Sequence, residues 1–484
     1  MMHTAVIQRL IGLLLMLFST TLLPPIVIDL LYQEDAGRAF YFSFLLLFVV
    51  GFLLFIPVRN QRGDLRLRDG FMVVVLFWLV LGIAGSLPLM LYESLAIDFT
   101  DAVFESMSGL TTTGATVLSG LDNLPHSVLF YRQELQWLGG MGIIVLAVAI
   151  MPMLGIGGMQ LYKAETPGPV KDNKLTPRIA ETAKALWYIY LGLTVACFTG
   201  YWLAGMSAFD AIGHSFSTVS IGGFSTHDAS LGYFEDPWIE AVAILFMFLG
   251  GINFALHFTV IRNFNLMSYL RDAEFKMYAM VLLVISVLSV LYLYINAVIP
   301  EFSQALRQGV FHAVSIATTS GFTLSEFSLW PVFVPVMLLF ASFIGGCAGS
   351  TGGGMKVIRV LLLIKQGQRE MMRLIHPNAQ VIVKLGRQPV PDRVIDAVWG
   401  FFAAYVAAFV SMMLLLMLTG NDQVTAFSAV AATINNLGPG LGEVSANYAS
   451  LGVFDKWVLC FSMLLGRLEI FTLLVLFMPA FWRK

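Results

Sequence analysis

The feature that most restricts this chain is the length of its apolar runs. A bilayer core about 30 Å thick takes roughly 20 apolar residues to cross as a helix. Runs of that order recur near residues 9–31, 40–58, 70–92, 128–155, 185–204, 238–260, 277–299, 331–347, 394–418 and 456–480. They predict an all-α membrane protein with ten membrane-spanning segments, because in lipid each helix satisfies its own backbone N–H and C=O groups. Composition agrees. The chain is 58% hydrophobic and 12% charged, against about 45–50% and roughly 25% in an ordinary soluble domain, which excludes soluble globular and disordered classes. A net charge of -2 gives no reason to expect a nucleic-acid partner. Cys197, Cys347 and Cys460 lie far apart in apolar or Gly-rich stretches and form neither a metal spacing nor a disulfide framework. The 24 Met and 39 Phe read as lipid-facing and helix-packing surface.

The first segment is longer than a signal-peptide core, and Thr21-Leu-Leu-Pro-Pro25 offers no small-residue cleavage site, so it is expected to stay as a helix. Basic residues then orient the chain. They concentrate around Arg59–Arg68, Lys163–Lys184, Arg262–Lys276 and Lys356–Arg393, with Arg9, Arg483 and Lys484 at the termini. Both termini and these loops are therefore expected in the cytoplasm, with an even number of crossings. Carboxylates such as Asp98, Asp101, Asp122, Asp210 and Asp228 fall on the opposite side. There they could concentrate cations, or simply mark loops that lack basic residues.

Four shorter, semi-polar segments interrupt the long ones, and they resemble each other. They are Phe104-Glu-Ser-Met-Ser-Gly-Leu-Thr-Thr-Thr-Gly114, Gly213-His-Ser-Phe-Ser-Thr-Val-Ser-Ile-Gly-Gly223, Phe311-His-Ala-Val-Ser-Ile-Ala-Thr-Thr-Ser-Gly321 and Ser428-Ala-Val-Ala-Ala-Thr-Ile-Asn-Asn-Leu-Gly438. Aligned on the last glycine, the sixth residue before it is Ser108, Ser217, Ser315 and Ala432. A second mark follows each: Leu138-Gly-Gly140, Leu249-Gly-Gly251, Ile344-Gly-Gly346 and Leu465-Gly-Arg467. The period is about a hundred residues, which is an internal repeat. It divides the chain into an N-terminal helix pair with a basic loop (1–69) and repeats at 70–180, 181–275, 276–390 and 391–484.

Each short segment is too short to span and fits a re-entrant half-helix. A half-helix ending at mid-membrane must turn back through non-helical backbone, which survives there only if it lines water or is buried in protein. Its carbonyls can replace the hydration shell of a cation. Glycine suits the turn because it tolerates positive φ, and the negative end of the half-helix dipole favours a cation. Four such loops around one axis make a ring of oxygens. His214 and His312 share a register with Glu105 on these half-helices and are expected to bond backbone or neighbouring helices.

Residues 344–356 carry six glycines in thirteen positions, Gly345, Gly346, Gly349, Gly352, Gly353 and Gly354, at a helix cost of about 1 kcal/mol each against Ala. A phosphate loop is disfavoured, since Met355 stands where lysine is needed and no strand precedes. Arg467 places a charge inside a span, which usually faces a cavity. The alternative is a structural pair with Glu469 or another acid, although residues two apart on one helix do not face each other. The cavity-facing reading makes Arg467 a positive barrier to leak.

In combination, Thr111-Thr-Thr-Gly-Ala-Thr116, Ser220-Ile-Gly-Gly-Phe-Ser-Thr-His-Asp228, Phe343-Ile-Gly-Gly-Cys-Ala-Gly-Ser-Thr-Gly-Gly-Gly354 and Asn435-Asn-Leu-Gly-Pro-Gly-Leu-Gly442 resemble the Trk/Ktr/HKT superfamily of potassium transport proteins. Ala164-Glu-Thr-Pro-Gly-Pro169 and Arg178-Ile-Ala-Glu-Thr-Ala183 add to the likeness. The resemblance implies four M1–pore loop–M2 repeats in potassium-channel-like pseudo-fourfold array, in the inner membrane of a bacterium. It implies filter loops Thr111-Thr112-Thr113-Gly114, Ser220-Ile221-Gly222-Gly223, Thr318-Thr319-Ser320-Gly321 and Asn435-Asn436-Leu437-Gly438, binding potassium through backbone carbonyls. Potassium is then cargo, with no organic cofactor. Glycine at 114 goes with potassium rather than sodium selectivity. The Gly345–Gly354 stretch would be an intramembrane loop that obstructs conduction. A homodimer and a cytosolic nucleotide-binding regulator (TrkA-like) are further implications. The longest basic loops, Lys163–Lys184 and Lys356–Arg393, are the expected docking surface.

Three functions compete. A channel-like potassium permease gated by a partner fits best. A proton- or sodium-coupled symporter wants an ionisable relay, for which Asp29, Arg467 and Glu469 are the candidates read within the spans. A membrane enzyme would need a catalytic constellation, and the short basic loops hold none.

Overall fold

The computed structural model describes residues 4–61, 67–142, 179–386 and 388–483. Helices dominate these residues, and the only ladder among them is a short antiparallel pairing of Lys384 with Pro389 and Leu385 with Gln388. Six helices are long and apolar enough to cross a membrane: Thr4–Tyr32, Gly37–Val58, Arg68–Leu91, Lys184–Leu203, Ala273–Ile295 and Asp392–Leu418. Their outward faces carry exposed Leu53, Leu203, Leu283 and Leu418. Hydroxyls and amides such as Thr111, Thr318, Asn435 and Gln136 are buried instead. Apolar outside and polar inside is the distribution a lipid solvent selects.

The remaining four expected spans are not continuous helices among the described residues. Pro237–Gly250 and Phe254–Asn263 meet at 97°, and Val453–Arg467 and Ile470–Phe477 at 115°. Counting each bent pair as one crossing raises the total from six to eight. The segment expected at 331–347 stops as the 12-residue helix Phe333–Ile344. The one expected at 128–155 is helical over His126–Gly140 and leaves the described residues after Gly142. Residues 163–178 also lie outside them, and with them the Ala164–Pro169 motif.

Three of the breaks fall at the Gly-Gly or Gly-Arg mark, where the helix passes close to the end of its own half-helix. A Cβ on Gly139 would sit 1.8 Å from the Leu110 carbonyl oxygen. One on Gly466 would sit 2.2 Å from that of Ile434, and one on Gly250 3.1 Å from that of Val219. Gly139 and Gly466 let two backbones approach more closely than a side chain permits, and Gly250 leaves only a tight fit. In the third repeat the helix stops before this level, at Ile344, and the Gly-rich segment fills the place.

The half-helices themselves are Phe99–Leu110, Ala208–Val219, Phe302–Ala317 and Gln423–Ile434. Three begin on caps that the sequence displays. Asp98 accepts from the Asp101 amide, Ser207 from that of Asp210, and Asp422 from those of Val424 and Thr425. Such a cap satisfies donors that the first turn otherwise leaves unmet.

Gly139→Ala is therefore expected to destabilise the folded protein by about 1–3 kcal/mol, the usual cost of overpacking. Thermal unfolding in detergent would register it as a lower midpoint, while Gly120→Ala, where no heavy atom lies within 4 Å, serves as the control for a loop glycine at positive φ.

Candidate functional site

The four half-helices end in the same way. The residue after the helix is helical in conformation at Ser220, Thr318 and Asn435, and lies just outside that region at Thr111 (φ -79°, ψ 2°). The next is left-handed: Thr112 (φ 55°), Ile221 (56°), Thr319 (71°) and Asn436 (52°). Its amide bonds three residues back, Thr112 to Gly109, Ile221 to Thr218, Thr319 to Ile316 and Asn436 to Thr433. The following amide bonds five residues back, Thr113 to Ser108, Gly222 to Ser217, Ser320 to Ser315 and Leu437 to Ala432, over 2.7–2.9 Å. This is a Schellman cap repeated four times, a place where glycine is the usual left-handed residue. Threonine, isoleucine and asparagine hold it at a cost of about 1–3 kcal/mol each, so the surroundings must enforce it. Isoleucine is the least suited, since a branched Cβ is a genuine outlier at positive φ.

Two residues later the backbone is left-handed again, at Gly114 (φ 79°), Gly223 (79°), Gly321 (80°) and Gly438 (98°). These glycines lock the loops to each other. A Cβ on Gly114 would lie 2.1 Å from the Gly222 carbonyl oxygen, and one on Gly223 2.0 Å from that of Ser320. One on Gly321 would lie 2.1 Å from that of Leu437, and one on Gly438 2.7 Å from that of Thr113. Loop one touches two, two touches three, three touches four, and four returns to one. The ring is closed, and every link is a carbonyl oxygen against a glycine Cα. Of the residues singled out at 111–114, 220–223, 318–321 and 435–438, these contacts involve Thr113, Gly114, Gly222, Gly223, Ser320, Gly321, Leu437 and Gly438.

Beneath it lies the Gly-rich segment, bonded to the inner ends of three loops. Thr351 Oγ1 donates to the Val219 carbonyl (2.9 Å), Gly353 N to Thr319 Oγ1 (2.7 Å) and Gly354 N to the Asn435 carbonyl (3.1 Å). Gly345, Gly349 and Gly354 adopt positive φ, and Gly346 and Gly352 pack face to face. Glu274, at the start of helix Ala273–Ile295, accepts from Ala348 N (2.7 Å) and Ile358 N (3.1 Å), tying the interior of the segment to the first turn of the helix that follows it. A phosphate loop is absent here, because the segment joins two helices with no strand before it. Arg467 completes the layer under the first loop. Its guanidinium donates to Thr112 Oγ1 (3.2 Å), to the Thr351 carbonyl (3.3 Å) and to the carbonyls of Gly139 and Gly140. Glu469 accepts from Arg359.

The sequence profile of the TrkH cation transport proteins matches residues 36–484. The chain belongs to that family. It is 56% identical over its full length, and theirs, to the Trk system potassium uptake protein TrkH of Salmonella typhimurium and to that of Escherichia coli. It is 42% identical to TrkG of Escherichia coli over 100% of this chain and 99% of that one. The crystal structure of the potassium transporter TrkH from Vibrio parahaemolyticus superposes with a TM-score of 0.91 at 54% identity, covering both chains completely. These relatives are named as transport proteins, and no enzyme is among them.

Some features of this TrkH-family site were invisible in the sequence. The left-handed residues before the glycines carry ordinary side chains, so nothing marked them. Arg132 and Glu105, both 1% exposed, form an ion pair behind the first loop (Nε to Oε1, 2.7 Å). Its two members are 27 residues apart, and only the hairpin brings them together. His214 and His312 do bond as expected, through Nδ1 to the carbonyls of Asp210 and Gln308.

His227, in the loop after helix Ala208–Val219, joins that loop to Asp122 in the loop after helix Phe99–Leu110. Its Nδ1 lies 2.5 Å from Asp122 Oδ1 and its Nε2 3.6 Å from Asp210 Oδ1, and its ring stacks on Tyr233 at 3.5 Å. Burial alone would lower the imidazole pKa, but the hydrogen bonds and charges of Asp210 and Asp122 outweigh it and raise it above 6.5. Burial would raise both carboxylates; their bonds to His227 outweigh this and hold them below 3.8. A raised imidazole stabilises the fold fully below its unfolded value and loses this as pH climbs through the folded value. The lowered carboxylates stabilise above their unfolded value and lose it as pH falls through the folded one. The contact is thus strongest between about pH 4 and 6.5. His227→Gln should flatten the decline in thermal midpoint above about pH 6.5; an unaltered pH profile would show that this contact does not govern it.

Proposed function

We propose that this chain is the potassium-conducting subunit of a Trk-type uptake system in a bacterial inner membrane. Full-length identity to proteins named as potassium uptake proteins supports the cargo. The closed ring of four carbonyl-to-glycine contacts carries the mechanism. A dehydrating cation needs a fixed set of oxygens. Thr111–Gly114, Ser220–Gly223, Thr318–Gly321 and Asn435–Gly438 offer backbone that is bent the same way four times over. Half-helix C-termini point their partial negative charge at the same place. The reading takes the chain as four M1–pore loop–M2 repeats at 70–180, 181–275, 276–390 and 391–484, behind a helix pair at 1–69. It counts ten crossings with both termini cytoplasmic.

The gate in this reading is the segment from Gly345 to Gly354 together with Arg467. Supporting it, the segment is bonded at the ends of the second, third and fourth half-helices and Arg467 to the first loop. A fixed positive charge under the filter opposes a cation with an energy that grows as water is excluded. Release would come from a cytosolic nucleotide-binding regulator acting on a homodimer. Helix Val357–Ile375 leaves the Gly-rich segment directly, so a pull on Lys356–Arg393 reaches the gate through one rigid element. The other docking surface in this reading, Lys163–Lys184, lies almost wholly outside the described residues.

Reconstitution in liposomes with opposed K⁺ and Na⁺ gradients tests both parts. Wild type should give unitary potassium-selective currents; a fixed proton or sodium stoichiometry would move the reading to a symporter. Gly114→Ser places a Cβ 2.1 Å from the Gly222 oxygen at a positive φ, so K⁺ over Na⁺ preference should fall at least ~10-fold, about 1.4 kcal/mol. Unchanged preference would overturn the filter assignment. Arg467→Ala should raise basal current before the regulator is added, and equal currents in both closed and activated states would remove Arg467 from the gate.

A further inference from the structure

Each filter loop is fastened on its outbound side by a side chain from its own half-helix. Glu105 accepts from Thr116 Oγ1 (3.0 Å) and from Val117 N (3.0 Å). His214 Nε2 meets Ser225 Oγ (2.9 Å), and His312 Nε2 accepts from Leu324 N (3.3 Å). In the fourth repeat, Ser428 Oγ donates to the Leu441 carbonyl (2.9 Å) and accepts from its amide (2.8 Å). The clasps occupy corresponding places, nine residues before the filter glycine in three repeats and ten in the fourth. Only the first is a carboxylate, and it alone is tied to a second helix. Arg132 donates to Glu105 (2.7 Å) and to Thr116 Oγ1 (3.1 Å). It then crosses to the second repeat, donating to the Ser225 carbonyl (3.3 Å) and covering the Phe224 ring at 4.2 Å. At the positions that the Gly-Gly marks align with Arg132, the other repeats carry Ala243, Leu338 and Leu459.

We propose that Glu105 and Arg132 are positioning residues for ion selectivity: their buried ion pair sets the spacing of the first and second filter loops, and the other three clasps close one loop each. This rests on the filter reading above. The oxygens that meet between these two loops belong to Gly222, seated on Gly114, and Gln136 from the same helix as Arg132 holds that carbonyl at 2.6 Å. A charged, multiply bonded tie resists displacement more than a neutral hydrogen bond does. Loosening it lets the oxygens close on a smaller ion, which erodes discrimination against sodium.

The test compares K⁺ over Na⁺ preference from reversal potentials in liposomes for wild type, Glu105→Gln, Arg132→Lys and Gly114→Ser, each first checked for a monodisperse fold. Glu105→Gln keeps the shape and removes the charge. Arg132→Lys keeps the charge and loses the reach to Ser225, so it carries the test if Glu105→Gln does not assemble. Both should lower the preference at least ~10-fold while leaving much of the conductance. A third protein, Glu105→His with Arg132→Leu, installs the neutral clasp of the second and third repeats. It should fold and remain poorly selective, because the bond to Ser225 is gone. Selectivity equal to wild type in the folded variants, with Gly114→Ser impaired, would overturn the proposal and leave the filter standing. No change in any of them would overturn the filter itself.

Discussion

The structure depends on one constraint: peptide groups at mid-membrane have no water to bond, so every bend there must be satisfied by protein. A helix meets the constraint alone, and a re-entrant hairpin cannot. The four hairpins of this chain meet it by capping themselves with the same pair of backbone bonds and then by leaning on each other. Thr112, Ile221, Thr319 and Asn436 sit in a left-handed conformation that non-glycine residues seldom adopt, held by the paired backbone bonds of the cap. A ring closed in this way has no free edge, and the strain in one loop is borne by the next.

Buried charge obeys the same logic. A single ion in low dielectric is costly, and breaking a buried pair leaves that cost uncompensated. Among the described residues, the charges near the ring are held by several partners at once. Arg132 binds Glu105, Thr116 and Ser225, and Arg467 binds Thr112, Thr351 and two glycine carbonyls. Glu274 ties the interior of the Gly-rich segment at Ala348 to the start of helix Val357–Ile375 at Ile358. Because that segment and Arg467 bond to the ends of the four loops, the proposed gate and the proposed filter would share hydrogen bonds. Displacing one removes support from the other.

Much of this was legible from residues alone. The apolar runs announced the helices, the recurring glycines announced the loops, and the Gly-Gly marks announced a second repeated contact. The charge at Arg467 stood out because spans rarely hold one. The straightness of the second helices was not legible. Runs such as 238–260 and 456–480 are continuous in hydrophobicity, and hydrophobicity carries no information about a 97° or 115° bend. Glu105 and Arg132 were equally hidden, since each reads locally as an ordinary polar residue in a semi-polar stretch.

What the sequence determined by itself was the solvent and the period: long apolar segments choose lipid, and a motif recurring about every hundred residues chooses a multiple of one unit. What only the tertiary structure decided was closure. Whether four bent hairpins face one another, and which carbonyl rests on which glycine, depends on contacts between residues some hundred to three hundred positions apart, such as Gly438 against Thr113. No local propensity encodes such a contact. It exists because burying a polar bend in lipid is tolerable only when another polar bend lies against it.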